Sequence, residues 1–334
     1  MYDVIIVGGA SAGLAAAIYT SRQGLKTLLL TKDIGGQAIL TPHIENYPGF
    51  ETISGSQLME KFQQQAANFG TEFRYEEVKR INRSDSSSNT TTSFNDSDMN
   101  SSWFTVKTST EKEYECLSVI LAFGKTPKDL AVPGEEKLVG KGVSYCAVCD
   151  APLSRGKVSA VVGWGDPAID AVLMLCPITT KVYFIFRSSQ LVGNDQFLNR
   201  CSKENNLELV PNSVVTEISG TKKVEGITIQ DKKSGQTRNI GIDSIFVELG
   251  YTAKTDFVKD LVNVNQAGEI IVVDKNQATS QPGIFAAGDI TDTPFKQAIT
   301  SAGDGAKAGL AAYNYVQRIR GRPTLKSDWK VKFR

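Results

Sequence analysis

One histidine, His43, stands among 334 residues, and charge of either sign is nearly cancelled: 37 Lys and Arg against 36 Asp and Glu leave +1. That balance gives the molecule as a whole no bias toward nucleic acid or an anionic membrane surface. No uninterrupted apolar run reaches the length of a membrane span. Five cysteines are too few to make the disulfide framework of a small secreted domain. The chain opens Met1-Tyr2-Asp3 and enters a strand-like run at once, which leaves no room for a basic leader and cleavage site; the cytoplasm is the expected compartment. His43 sits beside Pro42, where an acid–base role and a local hydrogen-bonding role are both open.

What is present is the composition of a globular protein, 41% hydrophobic and 22% charged, with length enough for two ordinary domains. Two of the cysteines form the run Tyr145-Cys146-Ala147-Val148-Cys149-Asp150. A turn brings cysteines at this spacing within disulfide range, and such a pair suits thiol–disulfide exchange better than structural cross-linking. Asp150, directly behind the second cysteine, could deliver or remove the proton that each exchange step needs. Half of a zinc site and chance are the plainer readings. A four-cysteine zinc site needs a second pair, however, and Cys116, Cys176 and Cys201 are scattered singly.

Val4 to Val7 is a short β-branched run of the kind found in buried parallel strands. It leads into Gly8-Gly9-Ala10-Ser11-Ala12-Gly13 and then into the alanine-rich, helix-like stretch from Leu14 to Tyr19. Strand, glycine turn and helix make a dinucleotide fingerprint: Gly8 for the tight turn, Gly13 for close helix–strand packing, and a helix N-terminus facing a pyrophosphate. Ala10 stands where a second glycine is usual, so the match is imperfect. A second strand, Thr27 to Leu30, ends at Thr31-Lys32 without the acid that would hold an NAD ribose. Apolar residues at Leu58, Met59, Phe62, Ala66 and Phe69 predict a helix over Ser54 to Gly70. Residues 84–102 are polar, predict a flexible insertion at a hairpin tip, and carry Asn-x-Ser/Thr triplets that would matter only in a secreted protein. A second strand–turn–helix unit starts at Val158 and turns at Gly163-Trp164-Gly165-Asp166-Pro167-Ala168, an internal repeat of the nucleotide-binding design. Further strands are expected over Asp243 to Leu249 and Glu269 to Val273.

Five motifs, in order, carry a family likeness: Gly35-Gly36-Gln37, Ile44 to Phe50, Cys146 to Asp150, Gly288-Asp289 and Lys296-Gln297-Ala298. With them nearly the whole chain resembles the low-molecular-weight thioredoxin reductases, FAD-containing disulfide reductases. The resemblance implies an α/β fold of two Rossmann-like, three-layer nucleotide-binding domains, the second inserted into a discontinuous FAD domain. It puts the FAD domain at 1–122 and 247–320, the cysteine-bearing domain at 123–246, and a basic, aromatic tail at 321–334. The FAD residues it implies are Gly8 to Gly13, Thr31, Gly36, Gln37, Asn46, Ala122, Gly124, Gly288, Asp289, Lys296, Gln297 and Ala298, with Asp289 on the ribityl chain. Ala302 to Gly305 is expected to open the last helix. A homodimer is implied, with Cys149 nearer the flavin and Cys146 the more exposed sulfur, Asp150 as proton donor or acceptor, and a thioredoxin-like protein as acceptor.

The second nucleotide turn departs from this family pattern. Members that use NADPH end the following strand in a histidine and two arginines, cations that grip the 2′-phosphate. Here the strand reads Lys181 to Gln190 with Phe186 and Ser188 in place of two of them, leaving Arg187. Losing two charged contacts worth ~1.5–3 kcal/mol each should weaken NADPH by several powers of ten. Trp164 would crowd a pyrophosphate or offer a face for stacking. The expected donor is therefore reduced ferredoxin, or a second flavin held by Gly163, Trp164, Gly165, Asp166, Pro167 and Arg187. Arg318, Arg320, Arg322, Lys326, Lys330, Lys332 and Arg334 could steer an acidic carrier, and Trp329 or Phe333 could cover a flavin; a solvated basic tail is the plain alternative. A diverged but working NADPH reductase and a non-catalytic flavin redox sensor remain the rival readings, with ferredoxin–NADP reductases behind them.

Overall fold

The computed structural model describes residues 1–41, 44–85, 102–193 and 195–325. His43, most of the polar stretch at 84–102, and the basic and aromatic residues from Lys326 to Arg334 lie outside the described residues. The chain divides into two compact units, Met1–Ile39, Tyr47–Lys125 and Ala253–Arg334 forming the first, Leu40–Asn46 and Thr126–Thr252 the second. The sequence reading drew these borders at 122/123 and 246/247.

The first unit begins β1 (Tyr2–Gly9), α1 (Ser11–Arg22), β2 (Thr27–Ile34), α2 (Gly55–Asn68) and β3 (Glu72–Tyr75). A hairpin layer follows, β4 (Val78–Asp85), β5 (Ser102–Thr108) and β6 (Glu113–Leu121). β1 lies between β2 and β6, parallel to both, with Val4 opposite Thr27 on one side and Ser118 on the other. Val4, Ile5 and Ile6 are fully buried, which is why this strand is apolar at successive positions rather than alternately. The sheet order is β3-β2-β1-β6-β5-β4. Ser54 caps α2 through a box in which its hydroxyl accepts from Gln57 N and the Gln57 side chain answers the Ser54 amide.

The chain then passes through the second unit: β7 (Thr126–Pro127), α3 (Glu135–Leu138), β8 (Val143–Ser144), α4 (Ala147–Asp150), β9 (Val158–Gly163), α5 (Gly165–Leu175), β10 (Lys181–Ile185), α6 (Asp195–Cys201) and β11 (Leu207–Val210). An antiparallel trio, β12 (Ser213–Ser219), β13 (Gly226–Asp231) and β14 (Thr237–Gly241), precedes β15 (Ser244–Glu248) and β16 (Tyr251–Thr252). The parallel sheet has order β11-β10-β9-β15-β8. Because β15 pairs with β9 and β8, it belongs to this unit. Two apolar clusters hold the unit, one between sheet and antiparallel trio around Val224, Ile227 and Ile245, the other under α5 around Val172, Phe184 and Phe246.

The chain returns to the first unit with β17 (Ile284–Ala286), parallel to β6, and α7 (Ala298–Ile319). Small residues let α7 approach α1: a β-carbon on Gly305 would stand 2.0 Å from the Ala12 carbonyl oxygen. Two expectations are corrected here. Glu269 to Val273 is not a strand; Ile270 makes isolated bridges to Val264 and Thr291, while Val272 N donates to the Asp292 carboxylate in place of a ladder partner. The last helix opens at Ala298 rather than at Ala302, because Gln297 caps it: Gln297 N donates to Thr300 Oγ1 at 3.1 Å. Both units are Rossmann-like, each with a strand–glycine turn–helix that starts from an interior strand paired in parallel on both sides.

Candidate functional site

In the first unit the residues singled out from the sequence converge on the end of β1. Gly8 and Gly9 end the strand, Ala10 is the N-cap of α1, and Ser11, Ala12 and Gly13 form its first turn. Gly8 has φ of 111°, and a β-carbon there would lie 2.3 Å from Ala122 O, just beyond β6. Gly288 has φ of 76° and faces the Ala12 methyl; Gly36 faces that of Ala10. Thr31 is buried in β2 beside Gly9, and Gln37 donates to Lys125 O at 2.8 Å. Gly124, with φ of 63°, follows β6. Asp289 accepts from Ser301 Oγ at 2.9 Å, and Lys296, Gln297 and Ala298 enter α7. Asn46, alone of this set, falls in the second unit.

This cradle fits an FAD. Side chains are excluded around the turn, and the cap Ala10 offers no side-chain acceptor to the first amides of α1, which suits a pyrophosphate. Asp289, steadied by Ser301, presents a carboxylate that would accept from ribityl hydroxyls were the group bound. A feature not foreseen is the pair of lysines, Lys125 and Lys296, that share the Glu269 carboxylate. Burial, and then the neighbouring Lys125, lower the Lys296 ammonium below the usual lysine value. Burial opposes ionisation of Glu269, yet hydrogen bonds from Lys125 and Asn265 hold its carboxyl below the usual range.

In the second unit Cys146 and Cys149 are joined, with their α-carbons 5.3 Å apart. Cys146 caps α4, a single turn, and its Sγ accepts from Cys149 N at 3.2 Å. Ser144 at the end of β8 links the pair to the acid: its hydroxyl donates to Asp150 Oδ2 at 2.7 Å and accepts from Cys146 N at 3.1 Å. Val148, between the cysteines, is 53% exposed, while Cys146 and Cys149 themselves are half-buried. The other three cysteines, Cys116, Cys176 and Cys201, are buried and free, and burial pushes each thiol up. Among the described residues no group of three or more His, Cys, Asp or Glu side chains is placed to hold a metal ion.

The second nucleotide turn also forms as read. Gly163 ends β9 under Glu248 O, Gly165 has φ of 70°, and Asp166 and Pro167 enter the first turn of α5. Trp164 is 69% exposed. Beyond β10, Phe186 is buried in the cluster under α5, Arg187 is exposed, and Ser188 Oγ donates to Gln190 O at 2.7 Å.

One residue close to the disulfide was missed. Glu248, the last of β15, accepts at Oε1 from Ala147 N at 3.3 Å. Burial pushes its carboxyl up to about 7. The signal was a lone acid ending the apolar run Ile245-Phe246-Val247.

Residues 2–305 match the family model of the pyridine nucleotide-disulphide oxidoreductases. The chain is 38% identical over 321 residues to a thioredoxin reductase of Treponema pallidum, spanning 96% of this chain and 98% of that one. It is 35% identical over 329 residues to a thioredoxin reductase of Bacillus subtilis, spanning 98% of each. Among solved structures, a thioredoxin reductase from Streptococcus pyogenes superposes with a TM-score of 0.85 at 35% identity, over 95% of this chain and 98% of the other.

Proposed function

Since the chain belongs to the pyridine nucleotide-disulphide oxidoreductases, and within them to the low-molecular-weight thioredoxin reductases, we propose that it reduces the disulfide of a thioredoxin-like protein through Cys146 and Cys149, with electrons from a donor other than NADPH. FAD, held by the Gly8 to Gly13 turn, Thr31, Gly36, Gln37, Ala122, Gly124, Gly288, Asp289 and the start of α7, supplies the two-electron chemistry when bound. The chain's own residues handle sulfur and protons. Cys146 and Cys149 break and remake their bond, Ser144 holds Asp150 against the pair, and Asp150 moves the proton that accompanies each exchange.

The donor assignment rests on one observation: the end of β10. Phe186 is turned into the core and Ser188 onto its own loop, so Arg187 faces solvent as the lone cation between Val182 and Gly193. Tight binding of a 2′-phosphate draws on several charged hydrogen bonds. The exposed Trp164 favours a stacked ring on this turn, a second flavin, while reduced ferredoxin is the donor that needs no ligand there. Neither alternative depends on the subunit arrangement, which we take to be a homodimer. Anaerobic stopped-flow mixing with NADPH is the test. Little bleaching of the flavin band is expected, while chemically reduced protein still reduces thioredoxin. Rapid bleaching would return the protein to the NADPH-dependent class.

A further inference from the structure

Glu248 is where the structure adds a residue that neither motif nor composition pointed to. β15 reads Ser244-Ile245-Phe246-Val247-Glu248, and its first four residues are buried. Glu248 pairs in register with Gly163, whose missing side chain lets the two strands close; a β-carbon there would stand 2.4 Å from Glu248 O. Its backbone is thus fixed, and its carboxylate reaches the amide of Ala147, the residue joined to Cys146. The charged groups on the elements packed around it are all acidic: Asp150 on α4, and Asp166 and Asp170 on α5. β8 and β9 carry no charged residue. A half-buried carboxylate with no cation on those elements is costly, and its proton is held up to about neutral pH.

We propose that Glu248 is the proton-holding partner of the Cys146–Cys149 couple, taking up one of the two protons of disulfide reduction and releasing it when the dithiol is reoxidised. Two electrons from the flavin chemistry of the reading above enter the S–S bond, which breaks. One sulfur takes a proton, the other remains thiolate, and the second proton goes to Glu248. New negative charge beside Ala147 is what favours protonation of the carboxyl that holds the Ala147 amide; carboxyl and thiolate titrate as a coupled pair. In the exchange step the thiolate attacks the substrate disulfide, and Asp150 passes the proton held on Glu248 to the sulfur that leaves. The remaining thiol then closes the Cys146–Cys149 bond, and its proton passes by way of Asp150 to the second substrate sulfur. Two electrons and two protons have moved to the substrate.

The test compares the flavin-loaded wild type with Glu248→Gln, whose amide oxygen still accepts from Ala147 N but cannot hold the proton. Both are reduced without air by a phosphine reductant in weak buffer; oxidation of the phosphine by water releases two protons in either case, and the protons the protein takes up per disulfide are counted against them. At about pH 8 the variant should take up about one proton fewer, and the difference should fade toward about pH 6, where Glu248 is already protonated before reduction. Exchange with a thioredoxin-like disulfide should slow ~10-fold or more in the variant above neutral pH. Equal uptake by the two proteins at both pH values overturns the proposal. Because it rests on the disulfide exchange proposed above, a wild type that exchanges with no thioredoxin sinks both readings, whereas normal exchange with equal proton uptake sinks this one alone. Should Glu248→Gln not fold, the reduced-minus-oxidised infrared spectrum of Asp150→Asn decides: a new protonated-carboxyl band supports Glu248, and its absence rejects it.

Discussion

A β-carbon on Gly13 would lie 1.9 Å from the carbonyl oxygen of Gly8, so the first turn of α1 rests directly on the end of β1. No rotamer relieves such a contact, since the β-carbon is fixed by the backbone and the obstacle is itself backbone. Gly13→Ala must therefore push α1 away from the strand and from the Gly288 turn that also abuts Ala12. The expected outcome is a loss of ~1–3 kcal/mol of stability and a purified protein with much less flavin per chain. Absorbance of the bound flavin against protein concentration, with a thermal melt, measures both.

The disulfide reading makes separable demands on its three residues. Cys146→Ser and Cys149→Ser each leave no bridge to reduce, so turnover with a thioredoxin-like acceptor should vanish while the flavin, held in the other unit, stays bound. Asp150→Asn retains an acceptor for Ser144 Oγ and loses only the proton chemistry. Exchange should slow by ~10²-fold at neutral pH with little change in acceptor KM. Full activity in any one of the three variants would contradict the assignment.

The loop after β10 permits a gain-of-function experiment. Ser188 is exposed and its hydroxyl is bonded within its own loop, to Gln190 O, so Ser188→Arg can be accommodated beside Arg187. A second guanidinium on a phosphate contributes ~1.5–3 kcal/mol, roughly 10- to 100-fold in affinity. NADPH should then quench protein fluorescence or reduce the flavin at concentrations that leave the wild type unchanged. If the wild type already responds as strongly as the variant, the donor reading fails.

How much of this was legible in the sequence depended on whether a residue's partner was near in the chain. The glycine turns, the apolar parallel strands and the cysteine pair each announce themselves locally, and they form at Gly8, Gly163 and Cys146 as read. Glu269 to Val273 misled because its β-branched residues fill the core through Ile270 without a strand beside them to complete a ladder. The start of α7 was misplaced because Gln297 is a weak signal for a cap that Thr300 completes. Glu248 was passed over because an acid at a strand end normally reads as solvated; its amide partner lies 101 residues away. Lys125 and Glu269 are likewise 144 apart.

Glu76 shows the same long reach and sets how the first unit meets acid. Its carboxylate is buried at the base of the β5–β6 hairpin, where Thr108 Oγ1 donates at 2.6 Å, Thr110 Oγ1 at 2.8 Å, Lys112 Nζ at 2.9 Å and the Tyr114 hydroxyl at 3.2 Å. The Thr108 bond, then Lys112 and Thr110, outweigh burial and hold the carboxyl down to about 2, from 4.5. A carboxyl lowered on folding stabilises the native state above its unfolded value, and that contribution drains away as pH falls from 4.5 through about 2. Lys112 is exposed and its share is screened, so the net contribution at neutral pH is ~1–2 kcal/mol. Glu76→Gln keeps an acceptor for the threonines but loses the charge. It should unfold at lower denaturant near pH 7 and match the wild type near pH 2, with midpoints from urea titrations at several pH values giving the comparison. A variant that lost the same stability at both ends of that range would show that packing, not the ionised carboxylate, holds the hairpin.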